Sequence, residues 1–134
     1  MTVDEISNKE IAKRFIELFS ESRFDEAFDL FSDDMQWKTF GKLPFSGTFN
    51  KHQIREFCDG LLKAYDNMPE WIVDDVISEG SKVALRAHSY GVTTNNFVYN
   101  NFYHFLMIVD EGKIKSVIEY MDTQHAAELV ESFK

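Results

Sequence analysis

Glu119 stands near the end of an alternating run, Lys113 to Met121, and a carboxylate set among apolar neighbours has its pKa raised toward the range in which it moves protons. Arg86 and His88 lie on an earlier run of the same kind, and Tyr99, Asn101 and Tyr103 on the one between. A carboxylate near a guanidinium and a phenol can take or give a proton while the phenol or imidazole hydrogen-bonds a substrate oxygen. These residues are therefore the candidate catalytic set (Glu119, Arg86, His88, Tyr103), with Trp37, Tyr90, Tyr99 and Asn101 as candidate ligand contacts.

Whether they meet depends on two turns. If Asp110 to Gly112 is a three-residue turn ending in a left-handed glycine, Val109 faces Lys113 and Tyr103 falls opposite Glu119. If Thr94-Asn95 is a two-residue turn, Arg86 faces Tyr103 and His88 faces Asn101. Arg86, His88, Tyr90, Tyr99, Asn101, Tyr103 and Glu119 then share one sheet face, because strand side chains alternate with period two. Val83, Leu85 and Ala87, with Phe102, Leu106, Ile108 and Ile118, share the other, together with His104. A slip of one residue in either turn separates the set, and an inverted register makes the apolar face the core.

The elements that carry these residues follow from periodicity. Ser7 with Glu10 forms a capping-box pattern, so a helix is expected from residue 8, burying Ile11, Ala12, Phe15, Ile16 and Phe19. Phe24, Ala27, Phe28 and Phe31 mark a second, short helix. Met35 to Phe40 reads as a strand and Gly41 to Thr48 as an irregular loop that could rim a pocket with Phe40 and Phe45. Asn50 with Gln53 caps a third helix ending near Asn67. Strands are expected over Trp71 to Ser78, Lys82 to Val92, Phe97 to Val109 and Lys113 to Met121, and Asp122 or Thr123 caps a closing helix. The expected fold is α+β: N-terminal helices packed on a curved, largely antiparallel sheet, with a short C-terminal helix, enclosing a conical cavity.

At 134 residues and 44% apolar composition the chain suits one domain, 1–134. Its net charge of −9 lacks any gathered basic patch, which argues against nucleic acid and anionic membrane surfaces as partners. One cysteine, Cys58, on an apolar helical stripe, reads as an inert buried thiol, and with a polar N-terminus a cytoplasmic location is the default. No run reaches the ~20 residues that cross a bilayer. His52 and His125 open different helices and no metal-ligand spacing occurs, so no metal is expected. Phosphate loops, dinucleotide fingerprints and Ser-His-Asp arrangements are missing too, and no cofactor is implied.

Gly112-Lys113-Ile114 followed by Glu119-Tyr120-Met121-Asp122-Thr123, with Tyr99-x-Asn101-x-Tyr103 before them and the Phe24-rich second helix, resembles the SnoaL-like branch of the NTF2-like (cystatin-like) superfamily, to which ketosteroid isomerase also belongs. The resemblance covers nearly the whole chain and implies a cone-shaped fold. In the polyketide cyclase branch a catalytic carboxylate precedes a second acid by three residues, a position similar to Glu119 before Asp122. Limonene-epoxide hydrolases add an Arg-x-Asp pair, matched here by Arg86 but not by His88. Ketosteroid isomerase uses a general base with a tyrosine and a neutral carboxylic acid as the oxyanion site, and Tyr103 is the candidate for the tyrosine. The resemblance thus implies a metal-free pocket for a small hydrophobic or carbonyl-bearing ligand, with proton-transfer catalysis of the isomerase, cyclase or hydrolase kind, and pairing into homodimers through the sheet. The alternative is a non-catalytic ligand-binding or dimeric interaction module on the same fold.

Overall fold

The computed structural model describes residues 2–134. The first helix, α1 (Val3–Ser20), begins five residues earlier than Ser7 and Glu10 suggest, because Thr2 and Glu5 form a capping box of their own. Helix α2 (Phe24–Phe28) is a single turn and a half, and Phe31 opens strand β1 (Phe31–Thr39) instead of continuing the helix. Part of the expected loop is a short strand, β2 (Gly47–Asn50), paired antiparallel to β1. Asn50 and Gln53 cap α3 (Lys51–Ala64) reciprocally, as their spacing predicts. The strands β3 (Glu70–Glu79), β4 (Lys82–Val92), β5 (Val98–Tyr99), β6 (Phe102–Asp110) and β7 (Lys113–Met121) follow, and α4 (Thr123–Ser132) closes the chain behind an Asp122 cap.

The sheet order is β2-β1-β7-β6-β4-β3, with β5 pairing β4. It is mixed, because β1 runs parallel to β7. This parallel contact sets Thr39 beside Glu119 and Trp37 beside Val117. Helix α1 lies along β3, tied by Ser78 Oγ donating to the Glu5 carbonyl and by the Trp71 amide donating to Ser20 Oγ. Aromatic rings fill the layer between helices and sheet, with Phe15 and Phe31 at 4.7 Å and Phe28 and Phe31 at 5.0 Å between centroids. Among the described residues no helix is long and apolar enough to cross a membrane.

Both turns differ from the expected ones, with opposite consequences. Asp110 pairs Lys113 across a two-residue turn, Glu111 and Gly112, both at positive φ as that hairpin type requires. A bulge follows between Ile108 and Val109. The two one-residue shifts add, so Glu119 pairs Phe105 and Tyr103 pairs Met121, yet Tyr103 and Glu119 keep the same face. The turn after β4 is three residues, Thr94 to Asn96, closed by the Thr93 amide donating to the Phe97 carbonyl, with Asn96 left-handed at φ 67°. That single extra residue pairs Ala87 with Tyr103 and turns β4 over. Val83, Leu85, Ala87 and Ser89 face the helices and are buried, whereas Arg86, His88 and Tyr90 lie on the outer face.

Candidate functional site

Helices and sheet do not close completely, and the space left is a cavity of about 740 Å³ bounded by the inner face of β1, β6 and β7, by α3, by the loop at Pro44 and Phe45, and by α4. Its walls are mostly aromatic and aliphatic, with Trp71, Phe49, Phe57 and Phe133 among them. Of the charged residues only Glu56 and Glu119 line it, and no lysine, arginine or histidine does among the described residues. The cavity therefore suits a neutral, largely apolar molecule.

Glu119 is 8% exposed and hangs from the inner face of β7 into this space. Its Oε1 accepts from Trp37 Nε1 at 3.1 Å and from Thr39 Oγ1 at 3.0 Å. Among the described residues nothing donates to Oε2. Burial pushes its pKa up to about 7 against the opposing pull of those two hydrogen bonds. A carboxyl group so poised exists in both protonation states near neutral pH, which is the condition for general acid or base work.

Tyr99 and Tyr103 also line the cavity, and both are buried. Burial raises both phenols above their ordinary pKa, Tyr103 well above it, so each is a hydrogen-bond donor and not a phenolate at neutral pH. Asn101, fully buried behind them, donates to Tyr99 Oη at 2.8 Å. Ser89 Oγ lies 3.2 Å from Tyr103 Oη. Tyr99 stacks on His125 of α4 at 5.2 Å.

Of the residues singled out in sequence, the fold thus gathers Glu119, Tyr103, Tyr99 and Trp37 at one cavity, with Asn101 supporting from behind. Arg86, His88 and Tyr90 do not belong there. The longer turn after β4 turns them outward, where His88 Nδ1 bonds the Asp74 carboxylate at 2.8 Å on a bulge of β3. Among the described residues no guanidinium accompanies the carboxyl group. Thr39, Trp71 and Ser89 were not among the candidates. Thr39 had a signal, since Met35, Trp37 and Thr39 alternate along one face of β1; Ser89 had only the register that the turn conceals.

The family model for the SnoaL-like domain matches residues 12–117, a span that stops two positions before Glu119. No curated protein matches the chain in sequence. Among solved structures it is similar to PrhC from Penicillium brasilianum NBRC 6234, at TM-score 0.87 and 14% identity over 96% of this chain and 88% of that one. It is similar to an NTF2-like protein of unknown function from Burkholderia pseudomallei K96243, at TM-score 0.80 and 12% identity over 92% and 96%. TerC, co-crystallized with polyporic acid, superposes at TM-score 0.81 and 17% identity over 93% and 98%. At these identities the likeness is one of fold. The matched span covers most of the sequence and the architecture agrees throughout, and the chain belongs to the SnoaL-like family on the NTF2-like fold.

Proposed function

We propose that this protein holds a small, largely apolar organic molecule bearing a carbonyl group, and that Glu119 exchanges a proton with it. The observation that carries the reading is a buried carboxyl group poised at about 7 in the wall of an apolar cavity, with one oxygen fixed and the other free. As carboxylate, Glu119 removes a proton from the carbon beside the carbonyl. The electrons pass to the carbonyl oxygen, and a phenol facing the same cavity stabilises the charge that develops there. The likeness in fold to TerC, which was co-crystallized with polyporic acid, supports reading the cavity as a site for a small organic molecule.

Deuterium exchange tests this reading without a known substrate. 2-Tetralone in D₂O with the protein should gain deuterium beside its carbonyl at a rate that rises through about pH 7, and Glu119→Gln should lower that rate by roughly 10²–10⁴-fold. Ligand-induced stabilisation with no exchange above background in either protein assigns the cavity to binding alone. The observation favouring that second reading is how little of Glu119 is exposed.

A homodimer through the outer sheet face belongs to the same proposal. That face carries Phe102, Leu106, Ile108 and Ile118, as the alternation of β6 and β7 predicts, and also Ile72, Ile77, Tyr90 and Tyr120, with Phe102 66% exposed. Val83, Leu85 and Ala87 are core residues and give it no support. Ile72, His88 and Phe102 lie side by side across β3, β4 and β6, and Tyr120 stacks on Phe40 at 4.9 Å nearby. Such a surface is one that a second copy would cover.

A further inference from the structure

The two cavity tyrosines are not equivalent, and the hydrogen bonds around Asn101 separate them. Asn101 Oδ1 accepts from the amides of Phe102 at 2.7 Å and Asp122 at 3.2 Å. Two backbone N–H groups can face only an oxygen, so the side-chain amide cannot be flipped. Its Nδ2 must then donate, to the Asp122 carbonyl at 3.1 Å and to Tyr99 Oη at 2.8 Å. Tyr99 Oη is thereby an acceptor toward the protein. The remaining contact of Tyr99 Oη is with Tyr103 Oη at 3.4 Å, long for an O–H···O bond. The proton of Tyr99 is held by nothing closer, whereas Tyr103 Oη has Ser89 Oγ on its other side at 3.2 Å.

We infer that, of the two phenols, Tyr99 is the hydrogen-bond donor the cavity presents to its ligand, that Asn101 is the positioning residue that fixes this polarity, and that the ligand is selected for an acceptor oxygen. Trp71 Nε1, the other lining donor without a partner among the described residues, is fully buried. Tyr103 supports Tyr99 from within the network. The inference rests on the reading of the cavity as a ligand site, but not on Glu119 moving a proton. With no cation in the lining among the described residues, the acceptor belongs to a neutral group such as a ketone, quinone or ether and not to a carboxylate or phosphate.

A matched pair of probes tests it: 2-acetylnaphthalene and 2-isopropenylnaphthalene, nearly the same shape, one ending in C=O and the other in C=CH₂. Titration calorimetry at pH 8.5 leaves Glu119 ionised and able only to accept, so any preference for the ketone comes from another donor. The wild type should prefer the ketone by about five- to tenfold, as one net hydrogen bond allows. Tyr99→Phe should bring that ratio to about one. Tyr103→Phe should keep at least half of it. Asn101→Asp keeps the acceptor for both backbone amides but sets its second oxygen against the Asp122 carbonyl, at a cost in stability, and as a carboxylate draws the Tyr99 proton back into the protein; in the folded variant the ratio should also fall to about one. A ratio retained in Tyr99→Phe, a ratio abolished by Tyr103→Phe alone, or no preference in the wild type overturns the inference. If the ratio behaves as expected while Glu119→Gln exchanges deuterium as fast as wild type, proton transfer by Glu119 fails and the role of Tyr99 stands.

Discussion

Thr39 and Glu119 are neighbours twice over: they are paired in the parallel ladder between β1 and β7, and Thr39 Oγ1 donates to Glu119 Oε1 at 3.0 Å. The backbone pairing fixes the distance at which the side chains meet, and the hydrogen bond fixes which oxygen is occupied. Trp37, two residues earlier on the same face of β1, reaches the same oxygen. The carboxyl group is thus oriented by one strand while being carried by another, and its second oxygen keeps its acceptor capacity.

The cost of keeping that carboxyl group should be visible in stability against pH. The folded pKa of about 7 lies above the ordinary carboxylate value of 4.5, so between these pH values the unfolded chain has released a proton that the native protein retains. Stability from this group is full below pH 4.5, falls as pH rises toward 7, and is flat beyond. At 1.36 kcal/mol per pKa unit the loss is about 3 kcal/mol. Glu119→Gln should therefore match wild type near pH 4.5 and exceed it by about 2–3 kcal/mol at pH 8, measured by urea unfolding at both pH values. A variant less stable than wild type at pH 8 would show that the ionised carboxylate stabilises the fold.

Thr39→Val removes one of the two donors that hold the pKa of Glu119 down, at nearly constant volume. Hydrogen bonds to an ionised carboxylate favour the charged form, so the Glu119 pKa should rise by roughly one further unit. The exchange rate should then reach half its plateau about one pH unit higher than in wild type, and a ¹³C carboxyl titration should move with it. An unmoved midpoint would mean that Trp37 alone sets the orientation.

On the outer face, Phe102→Asp should turn a dimer into a monomer in sedimentation experiments without changing the affinity of the cavity for 2-acetylnaphthalene. Phe102 is the most exposed aromatic on that face, and its neighbours in the chain, Asn101 and Tyr103, are buried on the other side. Arg86→Ala, also outside, should leave ligand binding within about twofold of wild type, since no atom of Arg86 reaches the cavity.

Gly91 sits where β4 passes beneath the end of α3. A Cβ there would lie 2.7 Å from Pro69 Cβ and 2.9 Å from Pro69 Cα, with the Tyr65 ring at 3.4 Å. Pro69 and Tyr65 both line the cavity. Gly91→Ala should therefore destabilise the protein by about 1–3 kcal/mol and also weaken ligand binding, because relieving the clash moves the cavity wall. Thermal unfolding with and without 2-acetylnaphthalene separates the two effects.

Most elements were legible in the sequence because the longer strands and helices carry their own period and caps, whereas β2 is too short to show one, α1 starts at an earlier capping box, and the run read as one strand from Phe97 to Val109 breaks after Tyr99 into β5 and β6. Asn50 with Gln53, Asp122 before α4 and the alternation of β6 and β7 required no tertiary information. Glu119 and Tyr103 were legible for the same reason, since β6 and β7 kept their faces through two shifts that add to one full period, while Tyr99 lies on the separate short strand β5. Arg86 and His88 were misplaced because their face depends on the length of one turn, Thr94 to Asn96, whose composition fits two residues or three. The parallel pairing of β1 with β7, which delivers Thr39 and Trp37 to Glu119, joins segments about 80 residues apart and leaves no local trace.

That turn provides a direct check on the register. Asn96 holds a left-handed conformation at φ 67°, which asparagine tolerates, glycine favours and β-branched residues resist. Asn96→Gly should be neutral or stabilise by up to about 0.5–1 kcal/mol, whereas Asn96→Val should destabilise by about 1–2 kcal/mol. Under the shorter turn expected from sequence, Asn96 would instead be the first paired residue of the following strand, where valine is favoured and glycine costs stability. The order of the two variants in urea unfolding thus reports which residue of β4 faces Tyr103. Glycine above valine places Ala87 there and keeps Arg86 outside the cavity; valine above glycine would bring Arg86 back beside Tyr103 and restore a guanidinium to the site.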